Sequence, residues 1–307
     1  MAEFPSWHIL GAGSIGGLWA ARLHQAGRAP VMVLRDQRFD DYKRAGGLTI
    51  ENEGLVPVAA ASPGTLQRPI DRLLVCCKST QTLAALKSIA THVNEQTVIA
   101  LVQNGMGLQD EVRQLFPSNT LLWGTTTNGA FRPRPFHIVP AGNGETPIGT
   151  LEGVVITSET ADALANEVAA LSCPGFEARY TAAIAPLLWR KLAINCAINP
   201  LTVRYQCRNG GLLEIPEARA ELSGICHEIR ALSRALNRMD GLDDLESTVL
   251  RVARQTAANH SSMLQDVRAG RETEIDFITG YLCRLATEHA VPTPLNHALY
   301  REVLNQK

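Results

Sequence analysis

The segment HILGAGSIGGLWAARLHQAG, residues His8–Gly27, decides how the first part of the chain folds. A short apolar run leads into closely spaced glycines, and the residues after them repeat apolar side chains at helical spacing. A second apolar run follows from Val31 to Leu34. This order of strand, glycine turn, helix and strand is the context in which the pattern GxGxxG indicates a dinucleotide-binding fold.

Each glycine of the pattern has its own physical role. Gly11 permits the tight turn, Gly13 lets the backbone approach a pyrophosphate, and Gly16 allows the helix to pack closely on the strand. Unpaired backbone amides at the start of the helix attract the anion. The pattern therefore predicts a cofactor site formed by Gly11, Ala12, Gly13, Ser14, Ile15 and Gly16. The alternative is a glycine turn with a purely structural role.

The end of the second strand carries information on the cofactor, and here it reads Arg35-Asp36. An acidic residue at this place binds the ribose hydroxyls of NAD, whereas an arginine accommodates the additional phosphate of NADP. Arg35, supported by Arg38 and Lys43, favours NADP. In the alternative interpretation, Arg35 and Asp36 are solvated turn residues.

Two further apolar runs end in polar residues. The run from Leu73 to Cys77 is followed by Lys78 and Gln81, and the run from Val98 to Val102 is followed by Asn104. Ligands of open parallel sheets bind outside the carboxyl ends of the strands. We therefore expect all three polar side chains at the cofactor crevice, although a charge in a loop is also common without any function.

The remaining pattern predicts two domains. The stretch LLWGTTTNGAF indicates another strand, and the proline- and glycine-rich stretch from Arg132 to Pro147 predicts an irregular loop or a sheet edge. Helical patterns run from Ala182 nearly to the end, with breaks at Gly210-Gly211, Asp240-Gly241 and Ala269-Gly270. We predict an α/β fold, with a Rossmann-like dinucleotide-binding domain at residues 1–182 and an all-α domain at residues 183–307.

The stretch WRKLAINCAINPLT places three polar residues in a segment with the composition of a buried helix. Lys191, Asn195 and Asn199 are spaced four apart, so they share one helix face. An ammonium in such a place costs free energy unless an anion or a carbonyl oxygen meets it, which favours a proton-donating or anion-holding role. The alternative is a lysine that extends to solvent beside two hydrogen-bonded core amides. We expect Pro200 to end this helix.

A second polar group lies in NHSSMLQDVRAGRETEID. Helical spacing predicts that Asn259, Ser262 and Asp266 share a face. The run TEID, Thr273–Asp276, matches a capping box, which gives its last residue a structural role. Glu274 remains as a candidate functional carboxylate, or as a first-turn residue favoured by the helix dipole.

The totals restrict the class of protein. The 307 residues contain 29 basic and 30 acidic side chains, so the chain lacks the excess of positive charge that would attract nucleic acid or an anionic membrane. No apolar run has the length of a membrane span, and the N-terminal residues do not match a signal peptide. The seven cysteines lack CxxC spacing, which predicts reduced thiols and no structural metal. We expect a cytoplasmic monomer or homodimer that binds small molecules.

Taken together, the motifs resemble those of the ketopantoate reductase (2-dehydropantoate 2-reductase) family, whose domains are similar to those of 6-phosphogluconate dehydrogenase. The matching pieces span nearly the whole chain: GAGSIGG, the strand end LR, CCKSTQ, QNGMG, GTTTNGA, WRKLAINCAINPLT, RNG, NHSSMLQD and TEIDFITGYL. The resemblance implies an NADPH-dependent reduction of 2-dehydropantoate to pantoate, on the route to pantothenate and coenzyme A.

The resemblance also implies roles for individual residues. Lys191 resembles the general acid, and Glu274 resembles the carboxylate that assists it and holds the substrate. Further substrate ligands are implied at Asn195, Asn199, Asn209, Asn259 and Ser262. The NADPH site is implied at Gly11 to Gly16, Arg35, Lys78, Gln81, Asn104 and Ala130, with Asn104 near both the nicotinamide and the substrate.

The chain departs from the family pattern at Asn128-Gly129, where the family has His-Ala, and at an apolar residue before Trp189, where the family has an acidic one. These departures leave the preference among 2-keto acids open. One alternative function is therefore the NADPH-dependent reduction of another 2-keto acid. Another is a non-catalytic protein that senses the dinucleotide or binds a partner.

Overall fold

The computed structural model describes residues 6–67, 69–151 and 157–306 of the chain. The chain divides into two compact units. The first unit extends to Gln103 and resumes over Asp110–Ala185. The second unit comprises Asn104–Gln109 and the residues from Pro186 onward. The polypeptide therefore passes from the first unit to the second and back before it enters the second unit for the last time.

The first unit contains the strands of the described chain. They are β1 His8–Leu10, β2 Val31–Val33, β3 Leu48–Ile50, β4 Gly54–Val56, β5 Ala59–Ala61, β6 Ile70–Val75, β7 Val93–Val102, β8 Thr120–Gly124, β9 Gly129–Arg134, β10 His137–Gly142, β11 Glu145–Gly149 and β12 Glu177–Tyr180. The main sheet has the order β12-β11-β8-β7-β6-β1-β2-β5. The six strands from β8 to β5 are parallel, in the strand order of a Rossmann fold.

Helices lie in the connections β1–β2, β2–β5, β6–β7 and β7–β8 of these parallel strands, and in the connection β11–β12. They are α1 Ser14–Gln25, α2 Asp36–Ala45, α3 Ser79–Ser88, α4 Gln109–Leu115 and α5 Ser158–Ala169. The sequence prediction of strand, glycine turn, helix and strand is confirmed by β1, α1 and β2. Strand β6 begins earlier than the apolar run Leu73 to Cys77 and ends at Val75, so both cysteines belong to the turn that follows.

A second sheet of order β4-β3-β10-β9 lies in the same unit. Its strands β9 and β10 form an antiparallel hairpin, and β10 pairs in parallel with β3. Of the two alternatives predicted for Arg132 to Pro147, the sheet edge is therefore confirmed by β9 and the irregular loop is wrong. Proline is tolerated there because β9 is an edge strand and its pairing is irregular.

The second unit is helical over its described residues, which confirms the all-α prediction. Its helices are α6 Ile184–Arg204, α7 Gly211–Glu214, α8 Pro216–Ala235, α9 Leu245–Gln255, α10 Ser262–Arg268, α11 Thr279–Glu288 and α12 Pro294–Leu304, with a 3₁₀ turn at Ile275–Phe277. The three glycine-containing breaks predicted from the sequence all separate helices.

Pro200 lies inside α6, so the expectation that it ends the helix is wrong. Proline lacks the N–H that would donate to the carbonyl of Cys196, and its ring crowds that oxygen. The helix nevertheless continues, because Leu201 and Val203 are fully buried and their packing stabilises the helical conformation. The hydrogen bond from the Tyr205 N–H to the Leu201 carbonyl, 2.9 Å, shows that helical pairing resumes beyond the proline.

The core of the first unit forms on the parallel sheet and on α1. Trp19 of α1 is fully buried, stacks on Phe176 with ring centroids 4.8 Å apart, and donates from Nε1 to the Leu171 carbonyl at 2.8 Å. The indole nitrogen therefore enters the core with its hydrogen bond satisfied. Leu74 of the central strand β6 is also fully buried, as expected for a strand covered on both faces.

We expect Leu74→Ala to lower the free energy of unfolding of the first unit by about 2–5 kcal/mol, because it removes fully buried methyl groups and leaves a cavity. Urea denaturation followed by tryptophan fluorescence measures the change. Leu55→Ala is the matched control, since Leu55 is 57% exposed and its truncation should change stability by less than about 0.5 kcal/mol. Equal effects of the two substitutions would contradict the assignment of the core.

Candidate active site

The glycine turn between β1 and α1 has the geometry of a phosphate cradle. Gly11 has φ +103°, and a Cβ there would lie 2.7 Å from the Cys77 nitrogen. A Cβ on Gly16 would collide with the Gly11 carbonyl oxygen and would lie 2.8 Å from the Cys76 Cβ. A Cβ on Gly13 would meet only the Cys76 oxygen, at 3.9 Å. Gly11 and Gly16 thus permit close packing of the backbone, and Gly13 leaves space beside the start of α1.

This geometry fits a dinucleotide pyrophosphate. Gly13 is the N-cap of α1 and offers no side chain to the helix end, and the first turn has no acidic residue. The first amides of a helix lack intrahelical partners and point toward the space beside the cap. The cradle therefore combines N–H donors with a backbone that an anion can approach.

Four of the other predicted cofactor residues, Arg35, Lys78, Gln81 and Ala130, lie in the same unit, whereas Asn104 belongs to the second unit. Arg35 is exposed and is the N-cap of α2, and its charge acts on the Cys77 thiol beside the glycine turn. Lys78 is the N-cap of α3, and Gln81 lies exposed within that helix. Ala130 lies in β9 of the second sheet and packs against the core that also contacts Ala12.

In the second unit, Lys191 and Glu274 interact electrostatically. Lys191 is half-buried in α6, and burial lowers the pKa of its ammonium to about 8. The carboxylate of Glu274 acts in the opposite direction and raises the pKa of Lys191. Glu274 is buried, and it immediately precedes the 3₁₀ turn Ile275–Phe277. The result is an ammonium that can release its proton near neutral pH.

The segment Asn104–Gln109 adds a third group to this pair. The Asn104 side chain donates from Nδ2 to Glu274 Oε2 at 3.4 Å. The Met106 N–H donates to the Phe277 carbonyl at 2.7 Å, and Gly105 has φ +82° at a place where a Cβ would collide with that carbonyl. The backbone of this segment is therefore fixed against the turn that carries Glu274.

The remaining predicted substrate residues lie in the same unit. Asn195 and Asn199 follow Lys191 at helical spacing within α6, which confirms the shared face; Asn199 is buried and Asn195 is half-buried. Asn209 donates its backbone N–H to the Asn259 carbonyl at 2.9 Å, so these two residues are neighbours. Ser262 is exposed in the first turn of α10.

Two local expectations for this region are wrong. Asn259 does not share a helix face with Ser262 and Asp266, because α9 ends at Gln255 and α10 begins only at Ser262. The Ser261 hydroxyl accepts from the Leu264 N–H at 3.1 Å and caps the later helix. Asp266 binds Arg271 at 3.0 Å.

The capping box predicted at Thr273–Asp276 is also absent. The Thr273 hydroxyl is buried and has no hydrogen-bond partner among the described residues. The Asp276 carboxylate instead accepts a hydrogen bond from the Tyr300 hydroxyl at 2.6 Å. Asp276 is structural, as expected, but through a contact with α12 that local spacing does not reveal.

Sequence reasoning missed Arg132 as a candidate site residue. Its Nη1 donates to the Ala12 carbonyl in the glycine turn at 2.9 Å, although 120 positions separate the two residues. The available signal was its position in the strand, two residues after Ala130, which places the two in one strand-forming segment. The high proline content of the stretch obscured this signal.

Two classes of feature are missing from the described residues. No cluster of three or more His, Cys, Asp and Glu side chains there is arranged to hold a metal ion. Over the same residues, none of the helices combines the length and the apolar composition that a membrane span needs. All seven cysteines are free thiols, as the sequence predicts.

Comparison with known protein families places this geometry in context. Residues 7–153 match the family described as ketopantoate reductase PanE/ApbA, and residues 183–306 match its C-terminal domain. The chain belongs to the ketopantoate reductase PanE/ApbA family. The 2-dehydropantoate 2-reductases of Vibrio cholerae and Shigella flexneri are 34% and 36% identical to it over 296 and 302 residues. These alignments cover 96% of this chain and 95% and 93% of the two relatives.

Solved structures agree with this family. A PanE/ApbA family ketopantoate reductase from Ralstonia eutropha JMP134 is 27% identical, with a TM-score of 0.84 over 98% of both chains. D-mandelate dehydrogenase, solved with NADH and anilino(oxo)acetate, has a TM-score of 0.89 over 98% of both chains. At 20% identity, the second similarity shows a common fold alone.

The Lys191–Glu274 pair yields a prediction that needs neither substrate nor cofactor. We expect the Lys191 amine to titrate near pH 8, and Glu274→Gln to lower this pKa further, because it removes the negative charge that favours the ammonium. The measurement is a ¹³C NMR titration of labelled lysine side chains. The chain has five lysines, so the variant Lys191→Arg assigns the resonance.

Glu272→Gln serves as the matched control, because Glu272 is an exposed carboxylate two residues before Glu274. It should leave the titration of Lys191 unchanged. An identical Lys191 pKa in the wild type and in Glu274→Gln would refute the electrostatic pairing.

Proposed function

We propose that the protein is an NADPH-dependent oxidoreductase that reduces 2-dehydropantoate to pantoate in pantothenate and coenzyme A biosynthesis. The observation that carries the proposal is the Lys191–Glu274 pair, because it supplies an ammonium with a pKa of about 8 in a chain of the ketopantoate reductase family. The relatives named above as 2-dehydropantoate 2-reductases, aligned over nearly their full length, support the same substrate.

Lys191 is the proposed general acid. When bound, NADPH supplies the hydride that attacks the ketone carbon. Negative charge then develops on the carbonyl oxygen, and a donor must neutralise it as the C–H bond forms. The Lys191 ammonium transfers one proton to this oxygen, which gives the alcohol and leaves a neutral amine that regains a proton from water. A pKa of about 8 suits this step better than the ordinary lysine value of about 10.4.

Glu274 has two proposed tasks. Its carboxylate keeps the Lys191 ammonium protonated near neutral pH, against the effect of burial. It also accepts a hydrogen bond from Asn104 Nδ2, which orients both side chains toward a common place. We propose that Glu274 and Asn104 contact the substrate there, and that Asn104 also contacts the nicotinamide.

The amide side chains and Ser262 are the proposed substrate ligands. A 2-keto acid carries a carboxylate that needs N–H and O–H donors, and Asn195, Asn199, Asn259 and Ser262 supply them without another fixed charge. Asn209 is suited to a different group. Its Nδ2 donates to Thr256 at 2.8 Å, and its buried Oδ1 has no hydrogen-bond partner among the described residues. A hydroxyl group of the substrate would satisfy this acceptor.

The first unit is the proposed cofactor-binding part. The cradle consists of Gly11, Ala12, Gly13, Ser14, Ile15 and Gly16. It fits a pyrophosphate because Gly13 leaves space beside the first backbone amides of α1. Arg35 is proposed to bind the 2′-phosphate that distinguishes NADPH from NADH. Lys78, Gln81 and Ala130 are proposed as further cofactor contacts, since they lie at strand ends or on the neighbouring sheet of the same unit.

We further propose that the cofactor-binding domain comprises residues 1–182 and the substrate-binding domain residues 183–307. The two family matches, which end at 153 and begin at 183, support this boundary. A cytoplasmic monomer or homodimer is the proposed form of the protein. Seven free cysteines are compatible with a reducing compartment.

The decisive experiment is NADPH oxidation with 2-dehydropantoate, repeated with NADH and with 3,3-dimethyl-2-oxobutanoate, which lacks only the substrate's hydroxyl group. We expect kcat/KM to be higher with NADPH than with NADH. We expect it to be about 100-fold or more higher with 2-dehydropantoate than with the analogue, because the analogue leaves the buried Asn209 Oδ1 without a hydrogen-bond donor. Asn209→Ala should reduce the preference for the hydroxylated substrate. A higher kcat/KM for the analogue would favour a reductase of another 2-keto acid.

Lys191→Ala should lower kcat by about 100- to 10,000-fold, the range for loss of a general acid, while NADPH binding stays unchanged. In the wild type, kcat/KM should fall as the pH rises above about 8, because the acid must carry its proton. Pre-steady-state and steady-state rates measured from pH 6 to 10 test both statements. Arg190→Ala, at the neighbouring half-buried residue, is the control. Wild-type turnover in Lys191→Ala would exclude Lys191 as the acid.

A further inference from the structure

We infer that Arg132 is a cofactor-anion ligand, which the second sheet delivers to the glycine turn. This inference rests on the proposed function, because it assigns a further residue to the dinucleotide site. Arg132 lies in β9, half-buried, and donates from Nη1 to the Ala12 carbonyl at 2.9 Å. Ala12 lies between Gly11 and Gly13 in the glycine turn that forms the phosphate cradle.

The fold fixes the strand that carries Arg132. Strands β9 and β10 form a hairpin, and a Cβ on Gly17 of α1 would collide with Ile138 of β10. The hairpin and the helix that begins at the cradle are therefore in direct contact. Ala130 of β9 packs on the same core as Ala12 and Ile15. The packing of the hairpin on α1 and on this core thus holds the side chains of β9 beside the cradle.

A local irregularity of the strand turns Arg132 toward the cradle. Arg134 pairs with His137 and Phe131 pairs with Val139, so three steps along β9 oppose two steps along β10. Such a bulge places an additional residue in one strand and redirects its side chains. It falls at Arg132-Pro133, where the proline could not donate to the ladder in any case. Because of the bulge, the side chain of Arg132 need not follow the regular alternation of side chains along the strand, and it can contact the glycine turn.

The chemistry at this place favours an anion. A guanidinium carries five N–H donors in a planar fork, and the Ala12 carbonyl is bound through Nη1. The cradle adds the partial positive charge of the α1 N-terminus, and the first turn has no acidic residue to oppose it. Arg132 adds a full positive charge to these amides, and together they complement the pyrophosphate of a dinucleotide.

The position of Arg132 selects the pyrophosphate over the 2′-phosphate. Arg132 binds the backbone of the cradle between β1 and α1, whereas Arg35 caps α2 after the second strand, where the ribose of the cofactor is read. NADPH and NADH share the pyrophosphate, and only NADPH has the 2′-phosphate. Arg132 should therefore contribute equally to the binding of both cofactors, and Arg35 only to that of NADPH.

The test is a fluorescence titration of the full chain with NADPH and with NADH, in the absence of substrate. We expect Arg132→Gln to weaken both by the same factor of about 10 to 100, the range for a hydrogen bond to a charged group. Arg35→Gln should weaken NADPH alone. Arg134→Gln is the matched control, because Arg134 lies on the same strand, is exposed, and contacts His137 instead of the cradle. It should change neither affinity.

Two further measurements separate an anion ligand from a purely structural anchor of the turn. The affinity of Arg132→Gln for NADH should depend less on salt than that of the wild type, because one screened charge is gone. Arg132→Lys, which keeps the charge, should recover part of the lost affinity. Thermal denaturation identifies any variant that does not fold.

Unchanged binding in Arg132→Gln, a loss confined to NADPH, or a loss without a change in salt dependence would each overturn the inference. If Arg132→Gln fails to fold, Arg132→Lys replaces it, and a partial loss of affinity, equal for both nucleotides and with the salt dependence of the wild type, would then support the role of the charge. A tenfold loss in Arg132→Lys without salt dependence would overturn it. If the wild type binds neither nucleotide, the proposed function fails together with this inference.

Discussion

The interaction on which the proposed chemistry depends is the electrostatic balance at the Lys191 ammonium. Burial in an apolar helix lowers its pKa to about 8, and the Glu274 carboxylate opposes that effect. Without burial the amine would hold its proton too firmly, and without the carboxylate it would lose the proton too early. Two elements of the second unit provide this balance. Helix α6 supplies the lysine and the apolar surroundings, and the turn before Ile275–Phe277 supplies the carboxylate.

The proposed cofactor site depends on a different constraint, the close approach of backbone to backbone. Gly11 and Gly16 are each in contact with the turn after β6, so that neither position has space for a Cβ. The cradle is therefore defined mainly by main-chain atoms, which offer N–H donors but little charge. Arg132 complements it with a full positive charge from another sheet. In the proposed function the two units thus use opposite means: the first offers hydrogen-bond donors to an anion, and the second adjusts the pKa of one amine.

Local patterns predicted the elements well wherever the backbone itself imposes the structure. The glycine spacing, the alternation of strands and helices in the first half, and the helical second half were all correct. Predictions failed where distant contacts override local preference. Pro200 continues a helix because its neighbours are buried. Of the two structures predicted for Arg132 to Pro147, pairing with other strands selects the sheet edge over the irregular loop. The capping box at Thr273–Asp276 is replaced by a hydrogen bond from Tyr300.

The sequence alone determined the glycine turn and the face shared by Lys191, Asn195 and Asn199, because both follow from the geometry of a few consecutive residues. Only the tertiary structure decided that Asn104 donates to Glu274 and that Arg132 reaches Ala12. These pairs are separated by 170 and 120 positions. Their contacts, and the pKa of Lys191, depend on burial and on the distance between charges, quantities that exist only once remote segments pack together.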